Sequence, residues 1–201
     1  MYAADFNNAR IQNFDAQGHF LTQWSTEAPT GPTGLALDPA GHVYVLNHRR
    51  HAHYVQSFDT SGRLLLEWGG NGTAPGEFIG PATGGPDAIA VDGSGNVYVT
   101  DPGNSRLQRF DTEGSFLGAF GSIGQGQGQF ISGPHGLAVD GNGNVYASDL
   151  TGAVQKFDGP SVRVLAKWEK TGATRLIALD NDGNILIRDD ARRSIVKYRQ
   201  S

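Results

Sequence analysis

The apolar residues of this chain fall in short runs, each closed off by glycine, aspartate or asparagine. One kind of run is apolar at consecutive positions: Leu35 to Leu37, Ile89 to Val91, Leu137 to Val139 and Ile177 to Leu179. Each is followed by a second such run, at Val43 to Val45, Val97 to Val99, Val145 to Ala147 and Ile185 to Ile187. Consecutive apolar positions predict strands buried on both faces, whereas a half-solvated strand alternates. A third run alternates better, as in Leu107-Gln108-Arg109-Phe110, and a fourth ends in an aromatic at Trp24, Trp68, Phe120 or Trp168. The chain therefore repeats a unit of four strands, here called a, b, c and d. The middle of strand a is always alanine (Ala36, Ala90, Ala138, Ala178), a size that suits the crowded inner edge of a wedge-shaped sheet. These alanines are expected to be buried.

The repeat aligns without gaps. GPTGLALDPAGHVYV from Gly31, GPDAIAVDGSGNVYV from Gly85, GPHGLAVDGNGNVYA from Gly133 and ATRLIALDNDGNILI from Ala173 place turn aspartates at Asp38, Asp92, Asp140 and Asp180, at spacings of 54, 48 and 40 residues. A second block reads DFNNARIQNFD from Asp5, DPGNSRLQRFD from Asp101 and, more loosely, DLTGAVQKFD from Asp149. Repeats of this length, each a four-stranded antiparallel meander, describe an all-β chain folded as a β-propeller. The wording GPxGLAVDxxGNVYVxDxxNxRLQxFDxxGxFLxxFG resembles the NHL repeat family over essentially the whole chain. Blades 4 and 5 depart from it at Ala153 and Ser194, where the pattern has arginine, and at Ala173-Thr174, where it has Gly-Pro. Reading from a strand b at Met1 to Ala4 to a strand c at Ile195 to Tyr198 gives bcd, three times abcd, then abc, or 18 strands in one domain over 1–201. The blade segments run approximately 1–30, 31–80, 81–130, 131–171 and 172–201, about 4.5 blades. The resemblance implies a six-bladed ring of about 24 strands. The chain is thus expected to be truncated at both ends, with open blade edges available for self-association.

Composition agrees with this picture and narrows the function. Glycine is 29 of 201 residues, and 15 aspartates outnumber 5 glutamates, a bias toward turns rather than helices. There is no long apolar run to span a membrane, and the first residues lack a leader pattern. The absence of cysteine excludes disulfides, thiolate metal sites and a cysteine nucleophile. It leaves the compartment open, with an extracellular or periplasmic location the favoured expectation. A net charge of −4 makes nucleic acid an unlikely partner.

Antiparallel order within a blade puts the d–a and b–c loops on one face and the a–b and c–d turns on the other. The residue before strand a is Thr33, Asp87, His135 or Arg175, one per blade, and these should ring the mouth of the central channel. A carboxylate and an imidazole there could hold a divalent metal, with His135 and Asp87 as ligands, or act as acid and base; otherwise His135 is structural. The GPHG segment around His135 is similar to a ligand segment of peptidyl amidating lyases, which implies several such histidines, and here one position of four carries it. The b–c loop of blade 2 holds His48, Arg49, Arg50, His51 and His53 in an insertion that could bind a metal, an anion or a partner, or be a solvated hairpin tip. D-x-x-N-x-R, at Asp5, Asn8, Arg10 and at Asp101, Asn104, Arg106, recurs per blade and reads as a loop-fixing device. The D-x-x-G-N turns lack the ligand spacing of a calcium loop. The glycine-rich stretch from Gly121 to Phe130 opens no helix and reads as a blade connector.

Uniform turns serve the fold, and varied loops are free to serve a ligand. The expected function is a non-catalytic scaffold, without an obligatory cofactor, that contacts protein or glycan through Thr33, Asp87, His135, Arg175, His48, Arg50, His51 and His53. Protein contact is also what the resemblance implies. The alternative is a metal-dependent lyase-like enzyme at the channel mouth. RNA binding, which the resemblance allows, would need a stronger basic face than these offset charges give.

Overall fold

The computed structural model describes residues 1–26, 31–47, 54–79, 85–169, 175–189 and 193–199. Five antiparallel sheets follow one another as the blades of a propeller. Blade 1 is Tyr2–Asp5, Arg10–Phe14 and Phe20–Ser25. Blade 2 is Pro32–Leu37, Val43–Asn47, Val55–Phe58 and Leu64–Trp68. Blade 3 is Ile89–Val91, Val97–Asp101, Arg106–Phe110 and Phe116–Phe120. Blade 4 is Pro134–Val139, Asn144–Asp149, Ala153–Asp158 and Arg163–Glu169. Blade 5 is Ile177–Leu179, Ile185–Asp189 and Ser194–Tyr198. Strand order in every sheet is sequence order, so each blade is a simple meander. The innermost strands of successive blades pack against one another around the channel.

Strand b is the buried element. Every residue of Val43–Asn47 and Val97–Asp101 is buried. Strand a differs from the sequence expectation: Ala36, Ala90 and Ala138 are only half-buried against the core, and Ala178 is exposed. The reason is geometric, since the innermost strand has a neighbour on one edge and borders the channel on the other. Between blades, the aromatics at the ends of strands d fill the wedge. Trp68 meets Phe110 with ring centroids 6.0 Å apart, and Phe120 meets Phe157 at 5.0 Å.

The repeated aspartates each organise a turn. Asp92 accepts the backbone N–H of Ser94 and Asn96 at 2.9 Å, the Asn96 amide at 2.8 Å and the Tyr98 hydroxyl at 3.1 Å. Gly95 takes φ +87° there, a value that glycine adopts without strain. The D-x-x-N-x-R motif has the fixing role its recurrence suggests. Asp101 accepts from Asn104 at 2.9 Å and Arg106 at 2.8 Å, and Arg106 also donates to the carbonyls of Ala74 and Glu77, both at 2.8 Å, in the connector from blade 2. That connector and the one before blade 4 each contain a short parallel pair, Gly70–Asn71 with Glu77–Phe78 and Ser122–Ile123 with Gln129–Phe130. Blade 4 has Ala153 in the arginine's place, and Lys167 from strand d reaches the carbonyl of Gln125 at 2.5 Å instead.

Candidate functional site

Before blades 2 and 4, the d–a segment lies on the b–c turn of the preceding blade, with Gly31 against Phe6 and Gly133 against Pro102. A Cβ on Gly133 would stand 2.4 Å from the Pro102 carbonyl oxygen, so only glycine permits this approach. Both loop types therefore share one face. In blades 2 and 4 the residue just before strand a's apolar run is a bulge, where the register with strand b slips between Pro32 and Gly34 and between Pro134 and Gly136. Bulges re-aim a side chain. The bulged residues are Thr33 and His135.

Three of the four ring positions are brought together. The His135 ring donates through Nδ1 to the Asp87 carboxylate in a short contact, and its Nε2 faces the Ser132 carbonyl at 3.1 Å. Arg175 reaches the same Asp87 oxygen at 3.2 Å across two blade boundaries. The Arg175 backbone also approaches Gly136 closely, where a Cβ would stand 3.1 Å from the Arg175 carbonyl oxygen. Asp87 is itself held from behind: Thr100 Oγ1 accepts the backbone N–H of Asp87 at 3.0 Å and of Ala88 at 2.9 Å. Exposure grades outward through the cluster, at 7% for the His135 side chain, 21% for Asp87 and 59% for Arg175. Thr33 stands apart, exposed, with its hydroxyl bonded to the Leu46 carbonyl of its own blade at 3.2 Å.

Carboxylate and carbonyl oxygens are both acceptors, and each His135 ring nitrogen already faces one of them. A metal at Nε2 would have to displace the Ser132 carbonyl. Among the described residues no group of three or more His, Cys, Asp and Glu is placed to hold a metal ion. The arrangement orients an exposed guanidinium over a partly buried His135–Asp87 hydrogen bond, which suits recognition of a carboxylate, sulfate or carbonyl group. The loop carrying His48, Arg50, His51 and His53 lies outside the described residues. Sequence reasoning missed Ser132 and Thr100. Thr100 is a polar residue directly after strand b's apolar run at Val97 to Val99, and that was the available signal.

Comparison with known proteins bears on the fold. Residues 83–110 match the NHL repeat model. NHL repeat-containing protein 3 of Mus musculus is 34% identical over 95 residues, 44% of this chain and 25% of that protein. The Homo sapiens counterpart is 32% identical over the same shares. The chain thus spans about a quarter of the length of the curated relatives it matches. Among solved structures, a streptogramin B lyase superposes with a TM-score of 0.62 at 19% identity, covering 83% of this chain and 50% of that one. A catalytically inactive virginiamycin B lyase from Staphylococcus aureus, solved with quinupristin, gives 0.71 at 13% identity, covering 98% and 65%. At these identities the likeness is one of fold, and no helix among the described residues is long and apolar enough to cross a membrane.

Proposed function

We propose that this NHL-repeat β-propeller is a binding scaffold whose working face carries the d–a and b–c loops. One observation carries the reading: Asp87, His135 and Arg175, from three successive blades, converge at the channel mouth, with the guanidinium outermost. Partly burying the Asp87 carboxylate costs desolvation, so the cluster is weak evidence of stabilisation by itself. Here it positions an exposed cation where the loops vary most. The ligand is a protein segment or a glycan that presents an acceptor group to Arg175.

The test uses peptides selected from a phage-displayed library and glycans from a printed array, measured against the parent chain and the double variant Asp87→Ala, His135→Ala. The expected result is weaker binding by roughly tenfold or more, which is about 1.4 kcal/mol, with thermal unfolding still cooperative. Unchanged binding with the fold intact removes the channel mouth and leaves the His48 to His53 loop as the candidate. The lyase reading is favoured by the His135–Asp87 contact, an imidazole oriented by a carboxylate, and it requires Nε2 to be released from the Ser132 carbonyl to act as a general base. Its test is chromatography of quinupristin after incubation with the chain. The scaffold reading predicts that it elutes unchanged.

A further inference from the structure

The opposite face holds a second feature, independent of the reading above. In strand c, the residue paired with the second residue of strand b's apolar run is a cation in three blades: Tyr98 pairs with Arg109, Tyr146 with Lys156 and Leu186 with Lys197. Each cation serves the a–b turn beside it or the next blade. Lys156 Nζ lies 3.8 Å from Asp140 and 5.0 Å from the Tyr146 ring centre, and Lys197 Nζ lies 2.5 Å from Asp180. Arg109 reaches the next blade's c–d turn, where it donates to the carbonyls of Gly159 at 2.9 Å and Pro160 at 3.2 Å.

Blades 1 and 2 depart from this rule; in blade 1, Tyr2 pairs with Asn13. In blade 2, Tyr44 pairs with Ser57, and among the described residues no lysine or arginine lines the cavity of about 530 Å³ found there. Its lining includes Asp38, His42, Tyr44, Ser57, Leu66 and Glu113. Thr112 and Glu113, in the c–d turn of blade 3, occupy the positions that Gly159 and Pro160 hold around Arg109. The receiving groups are in place. Tyr44 donates to Asp38 at 3.2 Å, and Asp38 is buried. His42 Nδ1 meets the Asp38 carboxylate at 2.8 Å, as the Asn96 amide meets Asp92, so His42 replaces the turn asparagine and not the cation. Ser57 is 3% exposed, and its hydroxyl makes no hydrogen bond among the described residues. Burial raises the Tyr44 hydroxyl's pKa first, and the negative charges of Asp38, Glu113 and Asp111 raise it further, so three carboxylates act on one spot.

We propose that this cavity between blades 2 and 3 binds a guanidinium or ammonium group on an aliphatic stem, which takes the place Arg109 fills one blade on. The head would lie among Asp38, Tyr44, the Ser57 hydroxyl and Glu113. The stem would lie along Leu65 and Leu66, as long cationic side chains pack their methylenes on apolar surface.

The test titrates the whole chain with Nα-acetyl-arginine methylamide, the matching lysine compound and the neutral norleucine compound, and follows the ring signals of His42 and Tyr44 by NMR. The cationic probes are expected to move these signals with a dissociation constant on the order of 1 mM, more weakly as salt is added. Norleucine should leave them still. Ser57→Arg supplies the cation internally and should weaken the probes at least roughly tenfold. Glu113→Gln, at an exposed position that leaves the fold alone, should weaken them several-fold even if Ser57→Arg does not fold. A comparison with n-pentylammonium separates a free amine from a side chain within a peptide. Binding of norleucine as tight as that of the cations, or cationic probes that bind the Glu113→Gln variant as tightly as the parent, would overturn the proposal.

Discussion

Replacing Arg106 by alanine removes a cation from a carboxylate that has no access to solvent. Asp101 is 0% exposed, and its side chain accepts from Arg106 Nε at 2.8 Å, Asn104 at 2.9 Å and Gln108 at 3.0 Å. Burial already pushes this carboxyl above its ordinary value, against the pull of Asn104 and Arg106. The variant leaves two amide donors on a buried charge and removes one of two donors from each of the Ala74 and Glu77 carbonyls, which keep the Glu77 N–H and the Gln108 amide. Breaking a buried pair from one side costs about 3–5 kcal/mol. The surviving amides put this case at the lower end, about 3 kcal/mol. Blade 1 provides the control, since Arg10 and Asp5 make the same 2.8 Å contact with side chains 33% and 22% exposed. A solvent-screened pair contributes little, so Arg10→Ala should barely move stability. The assay is urea unfolding of the parent and both variants, read as midpoint and slope. Arg106→Ala is expected to lower the midpoint by about 1 M or more at a slope near 3 kcal/mol/M. Equal losses for the two variants would refute the view that burial, rather than the motif itself, sets the energy.

Other outcomes follow from the same structure. Asp38 and Asp140 are pushed up by burial, but the hydrogen bonds from His42 and Tyr44, and from Asn144, Asn142 and Tyr146, outweigh it and hold both carboxyls below the ordinary range; Asp180 is held low by Lys197 and Asn184. A depressed folded value gives stability that is complete above the unfolded value near 4 and lost as pH falls through the folded values, so the thermal midpoint should drop below about pH 4, and Asp140→Asn should flatten part of that drop. Phe157, 1% exposed between Phe120 and Phe130, should cost about 3–5 kcal/mol as alanine by chemical denaturation. Ala138→Leu should cost about 1–3 kcal/mol by overpacking, while Ala178→Leu at its exposed position should cost little in the same assay.

The blade plan was legible because the repeat forces it. The turn aspartates, the doubly apolar strands b and the interblade aromatics each recur at fixed register, and the 18 blade strands appear where that register puts them. The role of Arg106 was legible for the same reason, since a device repeated in two blades serves both. Three things were not. The parallel pairs in the connectors form from glycine-rich segments without alternation, where pairing is dictated by the clamp of Gln108 and Gln155 on Gly76 and Gly128. The exposure of Ala178 depends on where the channel lies, which a local apolar run does not encode. The meeting of Asp87 with Arg175, 88 residues apart, depends on channel width; the register placed both on one ring but did not pair them.

The central claim is that the face bearing Asp87, His135 and Arg175 is the working one. The most direct measurement is a map of backbone NMR shifts on binding of the tightest peptide or glycan selected on the intact chain. The account predicts shifts concentrated at Asp87, Ser132, His135 and Arg175, with the hairpin turns at Asp92, Asp140 and Asp180 unmoved. Shifts concentrated at those three turns, with the channel mouth silent, would contradict it.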